Sequence, residues 1–176
     1  WLEPALDRDE NREARLAMRG WLEEQGEDFA RSIAIWHEGR LDVAKWSDIY
    51  ENYPYLYDAA FSERTVDVPA DFEAQKDDII AVLEAYLDSY LHSDDNSTWF
   101  AKVREIATRF NYAAKPKDFK KNPDQYKGSI VHVSSYIRFA IAHALNTPDL
   151  HTMIQFMGEE EMRLRVNSMI RTLRDS

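Results

Sequence analysis

The sequence predicts an all-α protein: a multi-helix bundle built as one domain or as two small helical subdomains. Three observations predict it. Apolar side chains recur at spacings of three and four along nearly the whole chain, the period of one face of a helix. Only Thr65-Val-Asp-Val-Pro69 reads as an extended, strand-like connector. The five glycines are scattered singly, so no glycine-rich phosphate loop exists, and the parallel-sheet cofactor folds that use one are excluded. At 44% hydrophobic residues the chain of 176 has enough apolar material for a packed core, unlike a disordered acidic polymer.

The elements follow in order. Ala14, Met18, Trp21 and Leu22 form one stripe, and Phe29, Ile33 and Trp36 the next, with breaks expected at Gly26 and Gly39. Tyr50, Tyr53, Tyr55 and Tyr57 surround Pro54, and Asp48 with Pro54 favours two short helical turns over a strand. Trp36, Trp46 and Tyr57 are read as packing residues. Ile79, Ile80, Leu83, Leu87, Tyr90 and Leu91 give the strongest helical stripe, and 92–97 is a polar break. Ser97 or Asn96 is placed to cap the helix carrying Phe100, Val103, Ala107 and Phe110. Pro116 suits a first helical position, and 124–128 reads as a turn.

Ile130, Val133, Ile137, Ile141 and Leu145 make another stripe, widened by Tyr136 and Phe139, so this helix is expected to be buried on two sides. Thr147-Pro148-Asp149 reads as a Thr cap, a Pro at the first position and an Asp in the positive first turn. The helix it starts shows Leu150, Met153, Ile154 and Met157 to the core and ends at Gly158. Glu159, Glu160 and Glu161 suit the N-terminus of a last helix whose apolar face is Met162, Val166, Met169, Ile170 and Leu173. The domain division expected is an acidic helical subdomain over 1–68 and a second helical subdomain over 69–176.

Several chemistries are excluded. Without cysteine there are no disulfides, thiolate nucleophiles or thiolate-bound metals, which fits a reducing compartment. No run approaches the roughly 18 consecutive apolar residues of a membrane span. There is no Glu-x-x-His pair and no His-Glu-x-x-His run, and His132 and His143 lack a third ligand, so no metal site is expected. No nucleophile has a base and orienter at a suggestive spacing, so no catalytic residue is assigned. Trp1 is not an initiator, and the chain is read as a fragment of something longer.

The charge is uneven. Residues 1–98 hold 9 basic and 24 acidic side chains, net −15, whereas 99–176 hold 13 and 8, net +5. Residues 102–127 stand out. Lys102, Arg104, Arg109, Lys115, Lys117, Lys120, Lys121 and Lys127 face only Glu105, Asp118 and Asp124, with Phe110, Tyr112, Phe119 and Tyr126 interleaved. Cations neutralise phosphates and exposed rings stack on unpaired bases, so the segment fits a nucleic-acid surface; a solvated basic helical face has the same composition. Because the Debye length is about 8 Å at physiological salt, a net charge of −10 on the whole chain does not exclude a polyanion at this half.

Five strings carry a resemblance. Thr98-Trp-Phe-Ala-Lys-Val-Arg-Glu-Ile-Ala107, Lys120-Lys-Asn-Pro-Asp-Gln-Tyr-Lys-Gly128 and Asn146-Thr-Pro-Asp-Leu-His-Thr-Met-Ile-Gln-Phe-Met-Gly-Glu-Glu160 resemble the C-terminal region of bacterial glutamyl-tRNA synthetases, the class I glutamate–tRNA ligases. Ala44-Lys-Trp-Ser-Asp-Ile49 with Tyr53-Pro-Tyr-Leu-Tyr-Asp58 is similar to the linker into that region, and the resemblance covers residues 41–173. It implies an all-helical anticodon-binding bundle or cage, with ATP and magnesium bound by a Rossmann-type catalytic domain absent from this fragment. The His-x-Gly-His and Lys-x-Ser-Lys signatures of that domain do not occur here.

The partners it implies are tRNA-Glu, through its anticodon arm, and the catalytic domain of the same chain, in a cytoplasmic monomer. On this reading Lys102, Arg109, Lys115, Lys117, Lys120, Lys121 and Lys127 contact phosphates, and Tyr112, Phe119 or Tyr126 stack on bases where exposed. Ala142-His143-Ala144-Leu145 replaces the family's Gly- and Thr-containing turn, so the local helix is expected to run longer. The alternative reading is a helical protein-interaction module without a nucleic-acid role; it accounts for the helices but not for the basic segment.

Overall fold

The computed structural model describes residues 54–56, 61 and 66–176. The chain divides into two compact units, Trp1–Thr65 and Val66–Ser176. In the first, Pro54–Leu56 is a single 3-10 turn with Tyr55 and Leu56 buried, and Phe61 is buried as well. The stripes over residues 14–36, the breaks at Gly26 and Gly39, and the packing roles of Trp36, Trp46 and Tyr57 lie outside the described residues.

The second unit is helical. Its helices are α1 (Ala70–Glu73), α2 (Lys76–Ser89), α3 (Asn96–Arg109), α4 (Pro116–Lys121), α5 (Ile130–Ala142), α6 (Leu150–Met157) and α7 (Glu159–Asp175). Val66–Pro69, expected to be extended, joins no strand; the Pro69 carbonyl instead accepts from the N–H groups of Phe72 and Glu73 and opens α1. The hydrophobic helix α5 lies at the centre, packed against α2, α3 and α7. It buries eight of its side chains, Tyr136 and Phe139 among them, as a helix covered on two sides must. Phe72 docks α1 on it with its ring edge-on to Tyr136 and Phe139, at centroid distances of 5.1 and 5.2 Å.

The helix boundaries differ from the sequence reading where local hydrogen bonding decides them. α2 ends at Ser89, so Tyr90 is buried in the following turn and Leu91 is 57% exposed. Its buried stripe runs through Val82 and Tyr86 instead, and the Tyr86 hydroxyl accepts from Trp99 Nε1 at 3.2 Å. Asp95, not Asn96 or Ser97, caps α3 by accepting from the Thr98 N–H at 2.7 Å. Asp149, not Thr147, caps α6 through the Thr152 N–H at 2.9 Å. α5 does not run on past Ala142: His143 adopts φ +49°, ψ 32°, the left-handed conformation that ends helices, which leaves Leu145 52% exposed.

A small sheet, which the sequence reading did not foresee, completes the unit. β1 (Tyr112–Ala113) pairs in parallel with β2 (Gly128–Ser129), Tyr112 opposite Gly128. A parallel pair needs a crossover, and α4 lies within it. Gly128 is required by close approach: a Cβ there would sit 2.9 Å from the His132 ring and 3.1 Å from the Tyr112 ring. Ser129 then caps α5, with His132 at the third position accepting from the Ser129 N–H at 3.0 Å in place of the usual Glu or Gln.

Candidate nucleic-acid interface

The basic segment forms a hook pinned at both ends. α3 stops at Arg109, and Asn111 reverses the chain at φ +64°. The Asn111 carbonyl accepts from the Lys127 N–H at 3.0 Å, while its side-chain amide donates to the Gln125 carbonyl at 3.2 Å. Together with the β1–β2 pairing these bonds close residues 111–128 into a fixed frame. Pro116 starts α4 at the first position, as its fixed φ allows. Along α4, Lys117, Lys120 and Lys121 stand at i, i+3 and i+4 and therefore share a face. All three are exposed, as is Lys115 just before them. Lys120 and Lys121 also lie in the last turn, where the helix dipole favours cations. The opposite side of α4 anchors it: Phe119 is half-buried, its ring edge-on to His132 at 5.6 Å.

The remaining residues of the sequence-predicted set fall into three groups. Arg109 is exposed, with its guanidinium over the half-buried Phe110 ring at 5.3 Å, and Tyr126 is half-exposed on the hook. Two lysines already hold carboxylates. Lys102 donates to Asp94 at 2.5 Å, with only 10% of the Asp94 side chain exposed, and Lys127 donates to Asp78 at 2.6 Å. That bond is the main reason the Lys127 ammonium holds its proton above its ordinary pKa.

Tyr112 corrects the sequence reading. It is 1% exposed, edge-on to Tyr136 at 6.0 Å, and burial raises its phenol pKa. As a core residue it has no face to offer a base, because β1 turns its ring inward. Asp78 and Asp94 were missed altogether. Asp78 lies 49 residues from the lysine it engages, beyond the reach of any local spacing rule.

Among the described residues, Lys115, Lys117, Lys120 and Lys121 form no ion pair, so their charge faces solvent as one patch. No group of three or more His, Asp or Glu side chains there is placed to hold a metal, and no described helix is long and apolar enough to cross a membrane. The patch is suited to binding a polyanion by its backbone. Nothing in its geometry points to bond-making chemistry.

Comparison with known proteins gives this patch its context. The chain is 38% identical over 154 residues to a glutamate–tRNA ligase of Acetivibrio thermocellus, an overlap of 85% of this chain and 27% of the relative. The chain is related to the glutamate–tRNA ligases. The glutamate–tRNA ligase of Clostridium perfringens strain 13 is 38% identical over 130 residues, 72% of this chain and 23% of that protein. That of Sorangium cellulosum is 28% identical over 149 residues, 82% and 26%. The chain thus spans about a quarter of the length of the glutamate–tRNA ligases it matches. No family model and no solved structure matches it.

Proposed function

We propose that this chain is the C-terminal, anticodon-arm-binding part of a glutamate–tRNA ligase, and that it is not itself catalytic. The observation that carries the reading is the exposed lysine face of α4, held rigidly by the 111–128 hook, in a chain related to ligases that act with tRNA. Lys115, Lys117, Lys120 and Lys121 neutralise phosphates of the arm and set its register. Tyr126 offers partly exposed ring surface on the hook for unpaired bases and Arg109 a guanidinium plane, while Phe119 anchors α4 from behind the lysine face. The ATP-dependent joining of glutamate to tRNA-Glu takes place in a catalytic domain of the same polypeptide, with which residues 1–68 form the link and 69–176 the reading unit. The protein works as a monomer in the cytoplasm.

The test is a salt series of binding measurements with a tRNA-Glu transcript and with a transcript of unrelated anticodon. Changing Lys117, Lys120 and Lys121 together to Ala is expected to weaken binding and to lower the slope of log K against log salt by about 2–3, at roughly 0.7–0.9 per phosphate released. An unchanged slope would move the phosphate-binding surface elsewhere. No binding of either transcript at about 50 mM salt would favour the protein-interaction module instead.

A further inference from the structure

Two of the seven cations assigned to the surface are already engaged with carboxylates, and the two pairs differ in exposure. Lys102 and Asp94 are 26% and 10% exposed, and the His151 ring also donates to the Asp94 carbonyl at 3.0 Å, so this pair is built into the packing between α3 and α6. Lys127 and Asp78 are 45% and 37% exposed, joined at 2.6 Å. An exposed pair of this kind is weak, because water and salt compete with it, and an incoming phosphate competes in the same way. Lys127 sits at the foot of the hook, just before the backbone pairing of Gly128 with Tyr112, so its position relative to the α4 lysines is fixed. Asp78 sits in the first turn of α2, where the helix dipole stabilises its negative charge, next to Asp77.

We propose that Asp78 is a specificity-determining residue of the RNA surface: its carboxylate competes with an RNA phosphate for Lys127 and marks the edge of the phosphate-binding face. The inference rests on the RNA-binding reading above. In the free protein Lys127 is neutralised, and a strand that approaches it without first seating on the α4 lysines meets Asp78 as a repelling charge. Even for a strand held by Lys117, Lys120 and Lys121, whose next phosphate reaches Lys127 at high local concentration, Asp78 keeps the ammonium occupied, so the phosphate-binding face ends there. The surface therefore discriminates by strand path rather than by total charge. Asp71, Glu73 and Asp77, all exposed in the first turns of α1 and α2, extend the repulsion beyond that edge.

The test is a double-mutant cycle on the full chain, read as affinity for a tRNA-Glu transcript across 50–200 mM salt. Asp78→Asn is expected to bind more tightly and to steepen the salt slope by about 0.9, so that its advantage over the wild type grows about 3.5-fold from 200 to 50 mM salt. Lys127→Met in the wild-type background changes affinity less than about two-fold, while in the Asp78→Asn background it removes the gain. Asp78→Ser repeats the cycle with a different neutral side chain, and circular dichroism confirms that each variant is folded.

The inference is overturned if Asp78→Asn binds with unchanged affinity and slope. It is also overturned if the gain survives Lys127→Met, or if Lys127→Met alone weakens binding as much as Lys117→Ala does. If neither the wild type nor Asp78→Asn binds the transcript at 50 mM salt, the RNA reading itself falls and takes the inference with it.

Discussion

Arg165 is 3% exposed, yet it carries a full charge. It is held by Glu161 one turn before it on α7 and donates at 2.9 Å to the carbonyl of Ile141, near the C-terminal end of α5. Arg163 does the same for α2, donating to the Leu87 carbonyl at 2.9 Å while pairing with Glu159. Each satisfies a carbonyl that a helix end leaves open. Removing Arg165 leaves a buried acceptor and a largely buried carboxylate without their donor. Arg165→Ala is therefore expected to lower unfolding stability by about 3 kcal/mol in urea titration, well above the surface norm of about 0.5 kcal/mol.

Burial also governs the tyrosines. It pushes the Tyr90 phenol up to about 12 and raises Tyr86 and Tyr136 further, from an ordinary value of 10.0. Above pH 10 the unfolded chain loses phenol protons that the native state keeps, so the unfolded state binds fewer protons and stability falls as pH rises. The urea midpoint should hold steady up to about pH 10 and decline above it; a flat midpoint to pH 11.5 would contradict the burial. None of this was legible residue by residue. The triple glutamate was legible as a helix start, but which arginines become structural depends on α2 and α5, far away in sequence.

At the scale of elements, the helices were legible because burial imposes a 3.6-residue period: Leu150, Met153, Ile154 and Met157 on α6, and Met162, Val166, Met169, Ile170 and Leu173 on α7, are buried as the spacing requires. Their ends were less so, because Thr, Asp, Asn and Ser are all competent caps, and tertiary packing chooses between neighbours. For α6 the choice was made by Arg138, which binds the carbonyls of Thr147 and Pro148 and so holds both outside the helix. Asp149→Ala should cost about 1 kcal/mol of stability by thermal or chemical unfolding, as loss of a cap does, and Thr147 should not substitute for it. The hook was the least legible element. Strands of two residues carry no alternation to detect, and the parallel pairing of residues 112 and 128 is a long-range contact. The sequence therefore displayed the lysines of α4 but not the frame that fixes them, nor the inward turn of Tyr112.

For the whole molecule, the division of charge between −15 over 1–98 and +5 over 99–176 puts the net positive charge in one half, but it overstates the free charge there. Arg138, Arg163 and Arg165 serve helix ends and loops, Arg174 pairs with Glu84, and Lys102 and Lys127 hold Asp94 and Asp78. Of the seven that remain, Lys115, Lys117, Lys120 and Lys121 lie on and beside one six-residue helix, with Arg104 and Arg109 on α3 and Arg171 on α7. The central claim is that this patch binds the anticodon arm of tRNA-Glu, and the most direct measurement is the salt dependence of binding for the full chain and its Lys117→Ala, Lys120→Ala, Lys121→Ala triple variant. The account predicts binding to a tRNA-Glu transcript that weakens steeply with salt in the wild type, and a slope lower by about 2–3 in the triple variant with its unfolding stability within about 0.5 kcal/mol of wild type. Equal slopes for the two proteins, or no binding by the wild type at about 50 mM salt, would contradict it.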